Sequence, residues 1–524
     1  MTVLYTLLFI LLMLGDWSQG SLNGGIWAIT VNCTGLIICI LISSLLQWKR
    51  PLERIYFIWL GIWFIGSIIA YGIWKRDVTH VLDGQFITAL LNVGYIGVLV
   101  LKYWKDGFFR DYFAGKFRQN VLLRYLWIAL TVWMCFSPRR SVWHIWFFIL
   151  FSMFYMLPLS EIQKTKIKNG ILNGVIWGFF VLQIYAYGFR PYDEVRYKGS
   201  YANCNNNALM YLVVYIVVLV RILVWERQPK SITKKIWLLF YYVLAGGLLG
   251  FQVLTMTRTA LIMDVMVTLV FLIFVLVREL KDQKKLFAAF WGVIGRGVLV
   301  FSLMVITFPL VFGTVRYLPT ILHHPVWYSN EGYSIEKVHS FDSWNSEKYV
   351  SFEEFIDTFC ERFSIEHPLI VRAETGNEMA EMQDISEVMS EIPESGAIRL
   401  KIYRIYLENM NWFGHTAKEG FFRITDDYYS YHAHNIFIQM AFTYGLPAGI
   451  MLILLAAVMG ISILVKWIRN PYDNWIAFSG FVYLVFFGYG MLEMTWNTGQ
   501  MILVLLFFTQ RSLERMGSIK KGVA

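Results

Sequence analysis

Stretches of apolar sequence long enough to cross a bilayer recur along nearly the whole chain, and no other feature limits its fold so strongly. Segments 26–46, 55–74, 86–104, 171–189 and 236–256 each match the roughly 20 residues that a spanning helix needs. With 1–15, 121–136, 143–160, 206–225, 260–277, 286–313, 445–467, 475–492 and 497–511 they make 14 candidate spans. A 524-residue chain that is 57% hydrophobic and only 16% charged has too little polar residue to coat a soluble protein of this size. The expected fold is an all-α polytopic membrane protein of about 12–14 transmembrane helices. Residues 1–14 lack a basic start, so the first segment reads as a membrane helix rather than a signal peptide.

Connections rich in Lys and Arg alternate with poor ones. Lys49, Arg50 and Arg54, then 105–124, Lys164 to Lys168, 227–235, 278–285, Lys466 with Arg469, and 511–521 carry the basic excess. Cytoplasmic loops hold such residues, so both termini are expected in the cytoplasm. The one long hydrophilic stretch, 314–433, is then a large external loop. It holds 10 Lys and Arg against 20 Asp and Glu, so it carries −10 and leaves +20 of the chain's +10 net charge to the rest. Basic loops beside an anionic leaflet account for that surplus, and nucleic-acid binding gains no support. The expected organisation is an N-terminal helix bundle at 1–313, the loop at 314–433, C-terminal membrane helices at 434–511 and a cytoplasmic tail at 512–524. Within the loop, acidic 374–394 reads as a solvated amphipathic helix or a mobile segment. The five cysteines, Cys33, Cys39, Cys135, Cys204 and Cys360, have neither metal-site nor disulfide spacing.

An ionisable group at spanning depth costs at least about 2.5–3.5 kcal/mol, so polar residues at the ends of spans need reasons. Arg258 in "LTMTRTALIM" stands between two spans among the hydroxyls of Thr255, Thr257 and Thr259. It is either a forked clamp for a phosphate or an interfacial anchor. The connection "GFRPYDEVRYKGSYANCNNNALM" is basic for an outward loop through Arg190, Arg196 and Lys198. An anionic ligand or salt bridges to Asp193, Glu194 or the acidic loop explain it equally, and Asn203 to Asn207 cap the next helix. "IRLKIYRIYLENMNWFGH" at 398–415 has helical spacing at Ile402, Ile405, Tyr406 and Met410 and carries Arg399 and Arg404.

In "YHAHNIFIQMAFTYGLPAG", Asn435 suits an N-cap, Gly445 a helix end and Pro447 the first turn of the next helix. Residues 436–444 would then form a helix of about 14 Å, half the hydrocarbon core, ahead of a full span. His434 would stand at the water boundary, as a cap, as a general base or, with His432, as a metal ligand short of partners.

These four segments resemble, in order, the bacterial O-antigen ligase and repeat-unit polymerase family. "HNIFIQMAFTYGLPAG" is similar to its His-Asn-x9-Gly signature, "TMTRTALI" to its Ser/Thr-x-Ser/Thr-Arg-x-Ala segment, "RYKGSYANCNNNALM" to its Arg-x-x-Gly-x-aromatic segment, and 398–415 to the Arg-x-x-x-aromatic helix. The resemblance covers roughly residues 185–510. Gly445-Leu446-Pro447-Ala448-Gly449 displaces by one residue the Gly-Leu-Pro-Gly usual there, and "NWFGH" keeps one glycine of several.

The resemblance implies a GT-C-like, metal-independent membrane glycosyltransferase without a cofactor. Its donor would be a polyprenyl-diphosphate-linked oligosaccharide on the outer face of a bacterial cytoplasmic membrane, and its acceptor a glycan or lipid hydroxyl. Carried over, His434 is the base, while Arg258, Arg196 and Arg399 hold the diphosphate; a flippase and a chain-length regulator are the implied partners. Two other classes stay open. A polysaccharide transporter would more often show repeated halves and charges near the midplane, and a structural envelope component would use its loop only to dock.

Overall fold

The computed structural model describes residues 2–20, 121–138, 161–189, 196–201, 203–283, 285–321, 352–363, 395–416, 419, 422–424, 429–430, 432–496 and 500–512, with scattered positions between 54 and 110. Expected spans 26–46 and 143–160, most of 55–74 and 86–104, the acidic stretch 374–394, Arg190 and the tail after 512 lie outside the described residues.

The helices, in chain order, are α1 (Thr2–Gly20), α2 (Val121–Phe136), α3 (Glu161–Phe189), α4 (Cys204–Glu226), α5 (Ile232–Thr255), α6 (Arg258–Lys281), α7 (Leu286–Ile321), α8 (Phe352–Phe363), α9 (Ser395–Glu408), α10 (Ile436–Tyr444), α11 (Leu446–Arg469), α12 (Asn474–Tyr483) and α13 (Met501–Ser512). A π-helical turn, Leu484–Tyr489, continues α12, and β1 (Phe422–Arg423) pairs antiparallel with β2 (Tyr429–Ser430). Apart from that two-residue hairpin, the regular structure among the described residues is helical. Six helices, α3 to α7 and α11, are long and apolar enough to cross a membrane, which marks the chain as an all-α membrane protein.

Helix α4 is the axis of the bundle. Every residue from Asn207 to Leu223 is buried, as expected of a helix apolar on all sides, and α3, α5, α6, α12 and α13 pack around it. By contrast Ile262, Val265 and Ile273 on α6, Ile306 and Leu310 on α7 and Ile461 on α11 are exposed. A belt of exposed aliphatic residues of that extent is stable against lipid rather than water.

Close backbone approach sets two of the crossings. Gly170, Gly174 and Gly178, one turn apart on α3, face Tyr5, Phe9 and Met13 of α1, and a Cβ at Gly178 would stand 2.8 Å from that of Met13. Gly246 of α5 likewise lets α7 approach at Leu303. Small residues in such rows replace the hydrophobic driving force that lipid removes. At the end of the bundle away from His434, Arg296 joins Glu226 at 2.7 Å and Glu279 at 3.0 Å, tying α7 to α4 and α6.

Four boundaries differ from the sequence expectation. Helix α3 starts at Glu161, because amphipathic "EIQKTKIKNG" continues its helical period ahead of the apolar run. Helix α7 runs to Ile321, so no loop begins at 314; Val311, Phe312 and Val315 are buried, Phe312 against α8. The helix expected over 398–415 ends at Glu408, where Asn411 begins a turn by accepting from Phe413 N at 3.0 Å. The expected span 475–492 is interrupted at Leu484 by the π turn.

Candidate functional site

The site is built on the connection between α5 and α6. Helix α5 stops because Met256 takes a left-handed conformation, φ 49°, and Thr257 caps α6 with extended backbone. The chain thus reverses in two residues, and Arg258 opens α6 as an exposed residue. The neighbouring hydroxyls are already engaged. Thr255 Oγ1 donates to Gln252 O at 2.8 Å, and Thr257 Oγ1 donates to Asn205 Oδ1 at 3.3 Å while lying 3.2 Å from Arg196 Nη2. These bonds tie both hydroxyls to the turn and to Arg196.

Arg196 reaches the same turn from the segment before α4, donating from Nε to Thr255 O at 3.2 Å and from Nη2 to Asn205 Oδ1 at 3.1 Å. Asn205 sits in the first turn of α4 because Asn203 caps it, accepting from Asn205 N at 2.8 Å. Arg362, on α8, adds a third guanidinium by donating from Nε to Met256 O at 2.9 Å. Burial, then Arg196 and Arg258 beside it, holds the Arg362 guanidinium below its ordinary pKa.

His434 lies across from this turn. Asn435 caps α10, its Oδ1 accepting from Phe437 N at 3.0 Å and Ile438 N at 3.2 Å. The nine-residue helix then ends at Gly445, whose φ of 95° and ψ of 158° are open essentially only to glycine. His434 itself has φ 47°, an uncommon left-handed conformation for a residue with a side chain. Several bonds hold it there: Tyr403 OH donates to His434 O at 3.3 Å, His434 N donates to His432 Nδ1 at 3.3 Å, and Ala433 N donates to Gln439 Oε1 at 2.6 Å. The His432 and His434 rings are 4.0 Å apart. Burial and then His434 push His432 down to about 4, so it stays neutral and able to accept that backbone bond.

Glu493 joins the parts. Its Oε2 lies 3.2 Å from His434 Nδ1, and its Oε1 accepts from Arg399 Nη2 at 3.0 Å and Asn205 Nδ2 at 3.4 Å. The π turn positions it: Glu493 N donates to Tyr489 O at 2.9 Å, Tyr489 OH to Asn205 O at 3.1 Å, and Thr495 Oγ1 to Phe486 O at 2.9 Å. A π turn inserts a residue into the helical ladder and is frequent at functional sites. Here it aims a carboxylate at the Arg399 guanidinium, the Asn205 amide and the His434 ring.

All four residues singled out from sequence therefore meet at one end of the bundle. Arg196, Arg399 and His434 are linked through Asn205 and Glu493, and Arg258 stands on the turn that Arg196 holds. Glu493 and Arg362 were not anticipated. Glu493 follows an apolar run in "GYGMLEM" and has no neighbouring charge to draw attention, although a lone carboxylate ending a span was a signal. Arg362 lies on an amphipathic helix, "FEEFIDTFCERF", where four carboxylates on the same short segment hide it. Among the described residues no group of three or more His, Cys, Asp or Glu side chains is placed to hold a metal ion. No protein-family model matches this chain, and no curated protein is significantly similar to it.

Proposed function

We propose that this chain is a membrane glycosyltransferase that polymerises or ligates a polyprenyl-diphosphate-linked oligosaccharide at the outer face of a bacterial cytoplasmic membrane. One observation carries the reading: a histidine oriented by a carboxylate and a set of guanidinium groups, from sequence segments up to hundreds of residues apart, converge at one end of an apolar bundle. The basic connections, by the positive-inside rule, put the opposite end in the cytoplasm.

The chemistry follows from the two halves of the site. A carboxylate at Nδ1 selects the His434 tautomer protonated there and leaves Nε2 to accept a proton. His434 takes the proton of the acceptor hydroxyl as its oxygen bonds to the anomeric carbon of the donor sugar. The bond from that carbon to the diphosphate oxygen breaks, and its electron pair leaves with the polyprenyl diphosphate. Arg258 and Arg196 stabilise the charge that develops on the leaving group, while Arg399 holds Glu493 beside His434. Preorganised donors in a poorly solvated site are worth most at that moment.

The test is reconstitution of purified protein in detergent with a defined lipid-linked repeat unit. Formation of longer glycan without any other protein is the expected result, and its absence under conditions where the protein remains folded and binds donor would reject the reading. A transporter reading draws on one observation, the buried Asp264 within α6, whose two carboxylate oxygens have no hydrogen-bond partner among the described residues. Transport of lipid-linked oligosaccharide across proteoliposomes, with no change in its length, would favour it.

A further inference from the structure

Three guanidinium groups gather on the four residues from Thr255 to Arg258. Arg196 binds Thr255 O and Thr257 Oγ1, each at 3.2 Å. Arg362 binds Met256 O at 2.9 Å. Arg258 belongs to the stretch, donates through Nη2 to Arg362 O, and lies with its guanidinium 5.9 Å from the Phe363 ring centroid.

The charges of Arg196 and Arg362 are not locally balanced. Among the described residues neither Arg196 nor Arg362 has a carboxylate partner. Guanidinium groups stay charged in proteins, so the three repel one another, and an anion placed among them removes that cost. Arg362 is the best presented of them, since only its Nε is engaged and both terminal nitrogens lack a hydrogen-bond partner among the described residues. That leaves the planar fork that binds a phosphate through two oxygens. Its helix is firmly seated, with Phe355 buried against Phe308 and Phe312 of α7 at ring separations of 5.8 and 5.7 Å.

Arg399 stands differently. Glu493 pairs with it at 3.0 Å, so its charge is largely spent on holding that carboxylate beside His434. We infer that Arg362 is a direct ligand of the donor's diphosphate, completing with Arg196 and Arg258 a three-guanidinium clamp that Arg399, tied to Glu493, does not join. The inference rests on the glycosyl-transfer reading for the identity of the anion. It also gives α8 a task in the chemistry, since Arg362 is the residue that completes the clamp.

Inorganic pyrophosphate is the probe that separates the clamp from turnover. Its binding to the purified full chain is measured by calorimetry at fixed ionic strength, for the wild type and for Arg362→Gln, Arg362→Lys and Arg399→Gln. Elution and melting temperature confirm that each variant is folded. Losing one charge-assisted pair weakens binding by about tenfold or more, so Arg362→Gln is expected to lose that much and to raise the donor KM in step. Arg362→Lys keeps the charge without the fork and recovers part of the loss, while Arg399→Gln stays within about twofold of the wild type. Wild-type protein that does not bind pyrophosphate, folded Arg362→Gln that binds it normally, or an equal loss in Arg399→Gln overturns the inference. If this pattern is found but no glycan is ever extended, the clamp stands and the glycosyl-transfer reading fails. If glycan is extended with unchanged donor KM in Arg362→Gln, the reverse holds.

Discussion

Glu493 serves His434 and Arg399 at once, through opposite oxygens, at 3.2 Å and 3.0 Å. A carboxylate shared in this way fixes the imidazole ring and its tautomer while remaining neutralised from the other side. Replacing it by Gln keeps the volume but lets the amide present either a donor or an acceptor to Nδ1. Glu493→Gln is expected to lower kcat by roughly 10- to 100-fold, the usual cost of losing a group that orients a working histidine, with little change in donor KM. Glu493→Asp, which keeps the charge on a shorter arm, should recover part of the rate. A kcat unchanged in folded Glu493→Gln would remove Glu493 from the mechanism.

The left-handed backbone at His434 makes the choice of replacement matter. Alanine would remove the ring and change the backbone preference together, because histidine, like Asn and Asp, is several-fold enriched in that region and alanine is not. Asparagine tolerates the conformation best among residues with side chains, so His434→Asn isolates the ring. Its melting temperature should match the wild type while transfer falls by at least about 100-fold, the scale of a general base. Measured product yield close to wild type would leave His434 as a cap and nothing more.

Much of this site was legible in the sequence because its backbone chemistry is local. Asn435, the nine residues after it, Gly445 and Pro447 specified a half-length helix with its caps, and α10 has those boundaries. Asn203 capping α4 and the short Thr257 connection were readable for the same reason. Glu493 was not, since a carboxylate acquires its role from partners 59 and 94 residues away, and sequence periodicity carries no information on such pairs. The Gly170, Gly174 and Gly178 row illustrates the same limit. Its spacing is visible, but only the structure gives α1 as the helix that uses it.

Two glycines of opposite character give a paired test of what holds α10 in place. At Gly445 a Cβ would run into Trp412 O, and φ is 95°; at Gly247, inside α5, a Cβ would meet nothing within 4 Å. Gly445→Ala should cost at least about 1–3 kcal/mol and, by displacing α10, lower transfer as well. Gly247→Ala should stabilise by roughly 0.5–1 kcal/mol, the gain from stiffening an unfolded helix-interior glycine, with transfer unchanged. Melting curves in detergent and product assays on both variants check the pair; equal effects at the two positions would contradict the close approach seen at Trp412.

His432 sets an acid limit. Burial and His434 hold it at about 4, below the ordinary value of about 6.5, so the folded protein binds fewer protons there than the unfolded chain between those values. Stability therefore falls as pH drops through that window and levels off below about pH 4. His432→Asn removes this contribution, so its melting temperature should depend less on pH between 7.5 and 4.5 than that of the wild type. Because every other titrating group is common to both proteins, the difference between the two slopes reports His432; parallel slopes would show that its ring is not held neutral.

Asp264 tests the boundary between enzyme and transporter. It lies within α6, 3% exposed, with Oδ1 and Oδ2 unpartnered among the described residues, and Gln252 Oε1 of α5 is likewise unpartnered. An ionised carboxylate in that setting is expensive, and asparagine keeps the shape without an ionisable group. If the protein's task is transfer at the Arg196–His434 end, Asp264 takes no part in it. Asp264→Asn should then retain full glycan yield, with a melting temperature equal to or above that of the wild type. A transporter that cycles a proton or cation through this residue would behave in the opposite way: the variant would stay folded yet lose movement of lipid-linked oligosaccharide in proteoliposomes. Measuring both outputs on the one variant decides between the two readings, because only the second makes function depend on a carboxylate buried away from the guanidinium cluster.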